Sequence, residues 1–329
     1  MATDFKLGNS AVKDPSDLPF PQDFFSDFLR QAHNPDGGWG YHPGSQSCTE
    51  TTALAILALR DHEATSGDAL ASATQWLQRA QLPSGAWPTA NGEHPGCWVT
   101  ALAGLALLKL SSPSDDAVTK GLQWLCGTWP AEGNASWRIR QLWLRRTDVV
   151  VRQDHSLRGW GWTPDTASWV EPTACALLLL KNVPEQFRPA EAKNRIRLGD
   201  AMLADRVCPG GGWNAGNPLV YGEPGIPRVG PTVWALLALS DQKDCAANVE
   251  SLDWLERDYE DIQGPGSAAI ANLCLRVYGR PTAPIEPRLR ALYLNNQFLR
   301  NIPVIAWASL AAGAVADWLR LSTRAKGES

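Results

Sequence analysis

Residues 159–181 read GWGWTPDTASWVEPTACALLLLK and fall into three parts. A Gly-Trp-rich turn (Gly159 to Trp162) leads to a short loop ending in Trp169-Val170-Glu171-Pro172-Thr173-Ala174, and an apolar run follows from Ala174 to Leu180. The same three parts recur. Asp36-Gly37-Gly38-Trp39-Gly40 leads to Thr51-Thr52 and an apolar run to Leu59. Gly85-Ala86-Trp87 leads to Thr100-Ala101-Leu102, and Gly210-Gly211-Gly212-Trp213 leads to Pro231-Thr232-Val233-Trp234. A repeat spaced by tens of residues decides the architecture, because each unit hides its apolar face only against its neighbours.

Each apolar run is preceded by an amphipathic segment. Phe24, Phe25, Phe28 and Leu29 form one stripe between Gln22 and Ala32. A run apolar all round is buried all round, whereas a striped one shields it from water. The unit is therefore an outer helix followed by an inner one. Further outer helices are read at Ala73 to Gln81, from Lys120, at Ala192 to Ala204, at Val249 to Glu256 and at Pro287 to Leu299. Their inner partners are Thr100 to Leu110, the run after Glu171, Thr232 to Leu239, Ser267 to Val277 and Val304 to Leu319. The spacing predicts an all-α fold, an (α/α)6 toroid of about six outer-inner hairpins. It occupies residues 21–320, with a loose arm over 1–20, an insert at about 128–158 and a tail over 321–329.

Composition narrows the function. Apolar residues make up 44% and charged ones 19%, enough for a large core and against disorder. A net charge of −4 gives no reason to expect nucleic acid or an anionic membrane as partner. Seven scattered cysteines, without a C-x-x-C pair, fit a reduced cytosol rather than a disulfide framework or a zinc ribbon. The start of the chain lacks the apolar stretch of a signal peptide, and no run is long enough to span a membrane. Tryptophan is the outlier, sixteen against five tyrosines and seven phenylalanines.

Ala73-Thr74-Gln75-Trp76-Leu77 followed by Gln81 and Gly85-Ala86-Trp87, with Lys120-Gly121-Leu122-Gln123-Trp124-Leu125, resembles the QW repeat of squalene–hopene and oxidosqualene cyclases. The likeness covers about residues 22–240 and points to the terpene cyclase and protein prenyltransferase toroid superfamily. It implies a hydrophobic isoprenoid as partner and a proton-initiated cyclisation, isomerisation or hydration, with no cofactor. The departures are specific. Those cyclases protonate their substrate with an Asp-x-Asp-Asp motif, which is missing here. Alignment on Thr173-Ala174 puts Glu171 at the protonating position. They also carry a second helical domain, for which this length leaves no room. The zinc-binding Asp-x-Cys of prenyltransferases and the DDxxD magnesium motif do not occur, so no metal site is expected.

Glu171 is the first candidate acid. A helix N-terminus lowers a carboxyl pKa and burial raises it, so the balance decides whether a proton is kept. The competing reading is a helix cap, since Ser168-Trp169-Val170-Glu171 fits the S-x-x-E capping box, as does Ser47-Cys48-Thr49-Glu50. Glu50 is the repeat equivalent of Glu171, and two facing carboxylates would raise one pKa. Asp165, after Pro164, is either a turn former or a second carboxylate orienting Glu171. Trp39, Trp87, Trp160 and Trp213 read as packing. Trp98, Trp169, Trp234 and Trp307 lie outside that turn position and could line a cavity, where an indole face stabilises a carbocation. They could equally be core.

The insert is basic and aromatic, with Trp137, Trp143, Arg138, Arg140, Arg145 and Arg146. Its arginines could grip a diphosphate, or it could rest on an anionic membrane as a peripheral contact. It could also be a solvated helix. His155 beside Asp154 is a further acid–base pair or a surface loop. Two other functions remain open for the ring: a non-catalytic toroid that binds an isoprenoid or a protein, and a carbohydrate-active toroid such as a polysaccharide lyase. The very apolar inner helices count against the last.

Overall fold

The computed structural model describes residues 23–90, 95–133, 139, 153–282 and 285–321. Among them the alternation of the sequence becomes twelve helices. The outer ones are α1 (Phe24–Gln31), α3 (Glu63–Ala80), α5 (Asp116–Gly127), α7 (Ala192–Asp205), α9 (Ala246–Asp258) and α11 (Ile285–Asn296). The inner ones are α2 (Thr49–Leu59), α4 (Val99–Leu110), α6 (Val170–Asn182), α8 (Val229–Ala238), α10 (Pro265–Val277) and α12 (Ile302–Ala312). Inner helices pack in the order α2, α4, α6, α8, α10, α12, and α12 returns to α2. The chain is a closed (α/α)6 toroid, as the repeats predict. Ten of the eleven residues of α2 are buried, which is what an all-round apolar helix requires.

The Gly-Trp turn ties each unit together in one way. The tryptophan backbone N–H donates to a threonine hydroxyl at the start of the inner helix: Trp39 to Thr52 (3.0 Å), Trp87 to Thr100 (2.9 Å), Trp160 to Thr173 (2.9 Å) and Trp213 to Thr232 (2.8 Å). The indole N–H donates to a leucine carbonyl of the outer helix: Leu29, Leu77 and Leu203 accept from Trp39, Trp87 and Trp213, each ten residues upstream. In the third unit the same bond, Trp160 to Leu125, spans thirty-five residues. The insert therefore enters between outer helix and turn without altering their packing. All four tryptophans are buried. We expect Thr100→Val to orphan the buried Trp87 amide and cost about 1–3 kcal/mol in urea unfolding.

A second bond joins the first unit to the second, the second to the third, the third to the fourth and the sixth to the first. Two residues past each of these tryptophans, a carbonyl accepts a backbone N–H from the start of the preceding inner helix. Thr49 donates to Thr89 (2.9 Å), Trp98 to Trp162 (3.0 Å) and Val170 to Ala215 (3.2 Å). Ile302 donates to Tyr41 (2.9 Å), so the sixth unit closes on the first by the same contact. These bonds also satisfy amides that helix N-termini leave without partners. Gly85 shows why the turn needs glycine: its φ is +89°, and a Cβ would stand 2.5 Å from the Lys120 carbonyl oxygen of the next outer helix. The third unit has Arg158 at this place. There Arg195 of α7 makes the junction, donating to the Gly159 and Thr128 carbonyls (3.0 Å each) with its guanidinium between the rings of Trp129 and Trp160.

Some boundaries differ from the sequence reading. α3 begins at Glu63, ten residues before the expected start, straight after a 3-10 turn at Arg60–His62. α12 stops at Ala312 rather than Leu319, because Gly313 adopts an extended backbone and a separate 3-10 turn follows at Asp317–Leu319. The arm over 1–20 and residues 322–329 of the tail lie outside the described residues, as do Trp137, Arg138, Arg140, Trp143, Arg145 and Arg146 of the insert. The described ends of the insert are both held at the rim where the inner helices begin. Ala131 N–H donates to the Thr166 carbonyl (2.8 Å), and Gln153 Nε2 donates to the Gly216 carbonyl (2.8 Å) and to Asn217.

Candidate active site

The unit-to-unit bonds put the first turns of the inner helices around one mouth of the ring. From the second turn down, the inner helices are buried against each other almost throughout. Leu179 of α6, for example, occupies the space a Cβ would need at Gly104 of α4. The axis of the ring is thus filled, and the residues left partly exposed at the mouth belong to the caps and first two turns of the inner helices. Glu50, Trp98, Trp169, Glu171, Gly230 and Trp234 are all partly exposed there.

Two acids stand at the mouth. Glu50 stands on α2 and Glu171 on α6, two units apart, and the charge on Glu50 reaches Glu171. Burial pushes the carboxyl of Glu171 up from its ordinary value, and the neighbouring Glu50 pushes it further. Burial also raises Glu50, while a hydrogen bond from the Tyr41 hydroxyl to its Oε2 works in the opposite direction. Gly230, at the start of α8, leaves room for the Glu171 carboxylate: a Cβ there would lie 3.4 Å from Oε1.

Four tryptophans stand among the inner helices at the same end. Trp234 of α8 and Trp307 of α12 meet edge to face across the unit between them, ring centroids 5.4 Å apart. Trp98 packs edge to face on Trp162 at 5.1 Å. Trp98 also lines a small cleft, together with Trp124, Trp129, Trp160 and Pro172. Trp169 caps the start of α6 through its backbone, and its N–H donates to the Trp160 carbonyl (2.9 Å).

The capping boxes do not form. The N-cap residues of α2 and α6 are Cys48 and Trp169, and neither helix start receives a side-chain cap. Ser168 is engaged elsewhere: its hydroxyl accepts from Gly159 N–H (3.1 Å), and its own N–H donates to Glu132 Oε1 (2.8 Å). Ser47 donates to Asp36 Oδ1 (2.8 Å). Neither glutamate is thus accounted for by a capping box. Asp165 is exposed at a φ of +60° in its turn, and Glu171 owes none of its shift to it. His155 and Asp154 are exposed on the rim. Tyr41 and Trp162 were not singled out by sequence. The signal was their shared place two residues past a Gly-Trp tryptophan, the position that accepts from the neighbouring inner helix.

Among the described residues no group of three His, Cys, Asp or Glu side chains could hold a metal ion. No helix among them is long and apolar enough to cross a membrane.

Neither a protein-family model nor a curated protein sequence matches the chain. Solved structures do. The type II terpene cyclase MstE from Scytonema, without ligand, is similar with a TM-score of 0.53 at 16% identity, covering 89% of this chain and 82% of that one. A protein from Actinoplanes is similar with a TM-score of 0.55 at 17% identity, covering 84% and 80%. Rex8A from Paenibacillus barcinonensis, complexed with xylose, reaches 0.50 at 8% identity, covering 93% and 96%. The chain has a terpene cyclase-like helical toroid fold. That ring also carries a xylose-binding protein, so the fold alone does not choose the chemistry.

Proposed function

We propose that this chain is a terpene cyclase-like enzyme that acts on a hydrophobic isoprenoid at the mouth of the ring, with Glu171 as proton donor. One observation carries the reading: a half-buried carboxyl at the start of an inner helix, raised by burial and by a second carboxylate, with no hydrogen-bond donor among the described residues. The raised pKa favours the protonated form, and transfer to an alkene would take place in the complex, where the bound substrate excludes water from the carboxyl. The new C–H bond forms at one alkene carbon and leaves a cation at the other. Trp98, Trp169, Trp234 and Trp307 present rings to that cation. Cyclisation, loss of a proton or capture of water then ends the reaction. Support also comes from the Scytonema cyclase, which binds geranylgeranyl dihydroxybenzoate as substrate.

The filled axis of the ring favours a second reading, an isoprenoid-binding toroid without turnover. Mass spectrometry of products separates the two. Wild type and Glu171→Gln are incubated with squalene, with linear prenyl alcohols and with prenyl diphosphates. A cyclic or hydrated product made by the wild type and lost in the variant supports the enzyme. Tight binding by both proteins without any product sinks it.

A further inference from the structure

The two carboxylates at the mouth are not equivalent. Glu50 has a donor, the Tyr41 hydroxyl, on its Oε2. Glu171 has none among the described residues. Its surroundings are Gly230 beside it and the buried Cys175 one turn below. Tyr41 is held by its own backbone, because its carbonyl accepts the ring-closing bond from Ile302. The phenol that reaches Glu50 thus belongs to the residue whose carbonyl joins the sixth unit to the first.

We infer that Tyr41 is a positioning residue: its hydrogen bond pins Glu50 as the ionised member of the pair and so leaves the proton on Glu171. The inference rests on the reading of Glu171 as the acid. A hydroxyl bonds more strongly to a carboxylate than to a neutral carboxyl, so the bond selects which partner is charged. The other titratable groups facing the pair do not compete. Cys48 beside Glu50 and Cys175 beside Glu171 are both raised by burial and stay neutral thiols, and Tyr41 itself is raised by burial and by Glu50. Glu50 thus ionises first, and its charge opposes ionisation of Glu171. When Glu171 gives its proton to an alkene, the π pair forms the C–H bond, and both carboxylates face the resulting cation as anions. A proton lost from a neighbouring carbon of that cation to Glu171 re-forms an alkene and restores the resting state.

The test is Tyr41→Phe, read by infrared difference titration of the carboxyl bands in the full chain without substrate. In a Glu171→Gln background only Glu50 of the pair titrates. There Tyr41→Phe is expected to lower the acid dissociation constant of Glu50 about tenfold, one pH unit, the size of one charge-assisted hydrogen bond. With Glu171 present, the same substitution lowers the ionisation midpoint of Glu171, because its neighbour is less often charged. A reciprocal measurement uses Glu50→Gln: one tyrosine, absent in Tyr41→Phe, should then ionise at lower pH by ultraviolet titration. An unmoved Glu50 midpoint in Tyr41→Phe overturns the inference. Because no substrate is present, that failure differs from the failure of the acid reading, which shows as product formation that survives Glu171→Gln.

Discussion

Replacing Lys181 by methionine is expected to remove about 3–5 kcal/mol of stability, the range for breaking a buried ion pair from one side. Lys181 sits in the last turn of α6, at the end of the ring away from the mouth. Its ammonium lies 2.8 Å from Asp200 Oδ1 and 2.7 Å from Asp241 Oδ1, and it donates to the Ala238 carbonyl at 2.7 Å. All three charged side chains are less than a tenth exposed, at 6%, 9% and 5%. Methionine fills the stem of the lysine but leaves two buried carboxylates facing each other. Urea unfolding measures the loss. Adding Asp200→Asn and Asp241→Asn to Lys181→Met should recover part of it, since the uncompensated charges then disappear. A single-variant loss below about 1 kcal/mol would mean that water reaches the cluster.

Glu171→Gln is expected to lower product formation by about 100-fold to 10,000-fold, the usual contribution of a positioned acid. The substitution keeps shape and polarity and removes only the transferable proton. Activity should be present below the folded pKa of Glu171 and lost as pH rises through it. Stability gives an independent check with a definite sign. The carboxyl is raised above its ordinary 4.5 in the folded chain, so the folded state binds more protons than the unfolded state between about that pH and the folded pKa. Stability therefore falls as pH climbs from about 4.5 to the folded pKa and is level beyond it. Glutamine carries no such loss. Glu171→Gln should be more stable than wild type at neutral pH, and the advantage should vanish near pH 4. A variant less stable than wild type at neutral pH would mean that Glu171 is held as a structural anion.

Much of the ring was legible in the sequence because its determinants are local. A glycine that must take a positive φ, a tryptophan ten residues after a leucine and a threonine before an apolar run all leave marks at fixed spacing. The start of α3 left none, because Glu63 to Asp68 contains serine, threonine and glycine and carries no apolar stripe. Ser168 misled for a different reason. Its fit to a capping box is a local pattern, but its hydroxyl and amide are claimed by Gly159 and by Glu132 at the edge of the insert. Glu132 lies thirty-six residues away, beyond the reach of a local motif. The meeting of Glu50 and Glu171 followed from their equivalent places in two repeats. The hydrogen bond from Tyr41 to Glu50 did not, because no spacing rule pairs a turn tyrosine with a glutamate nine residues on.

Photo-crosslinking with a diazirine-bearing prenyl alcohol, mapped by tandem mass spectrometry, tests most directly whether the mouth is where the chain meets its isoprenoid. Saturable labelling is expected on the peptides that carry Trp98, Trp169, Trp234 and Trp307, and an unlabelled prenyl alcohol should compete it away. Saturable labelling confined to the outer helices, with those four peptides unmodified, would contradict the account.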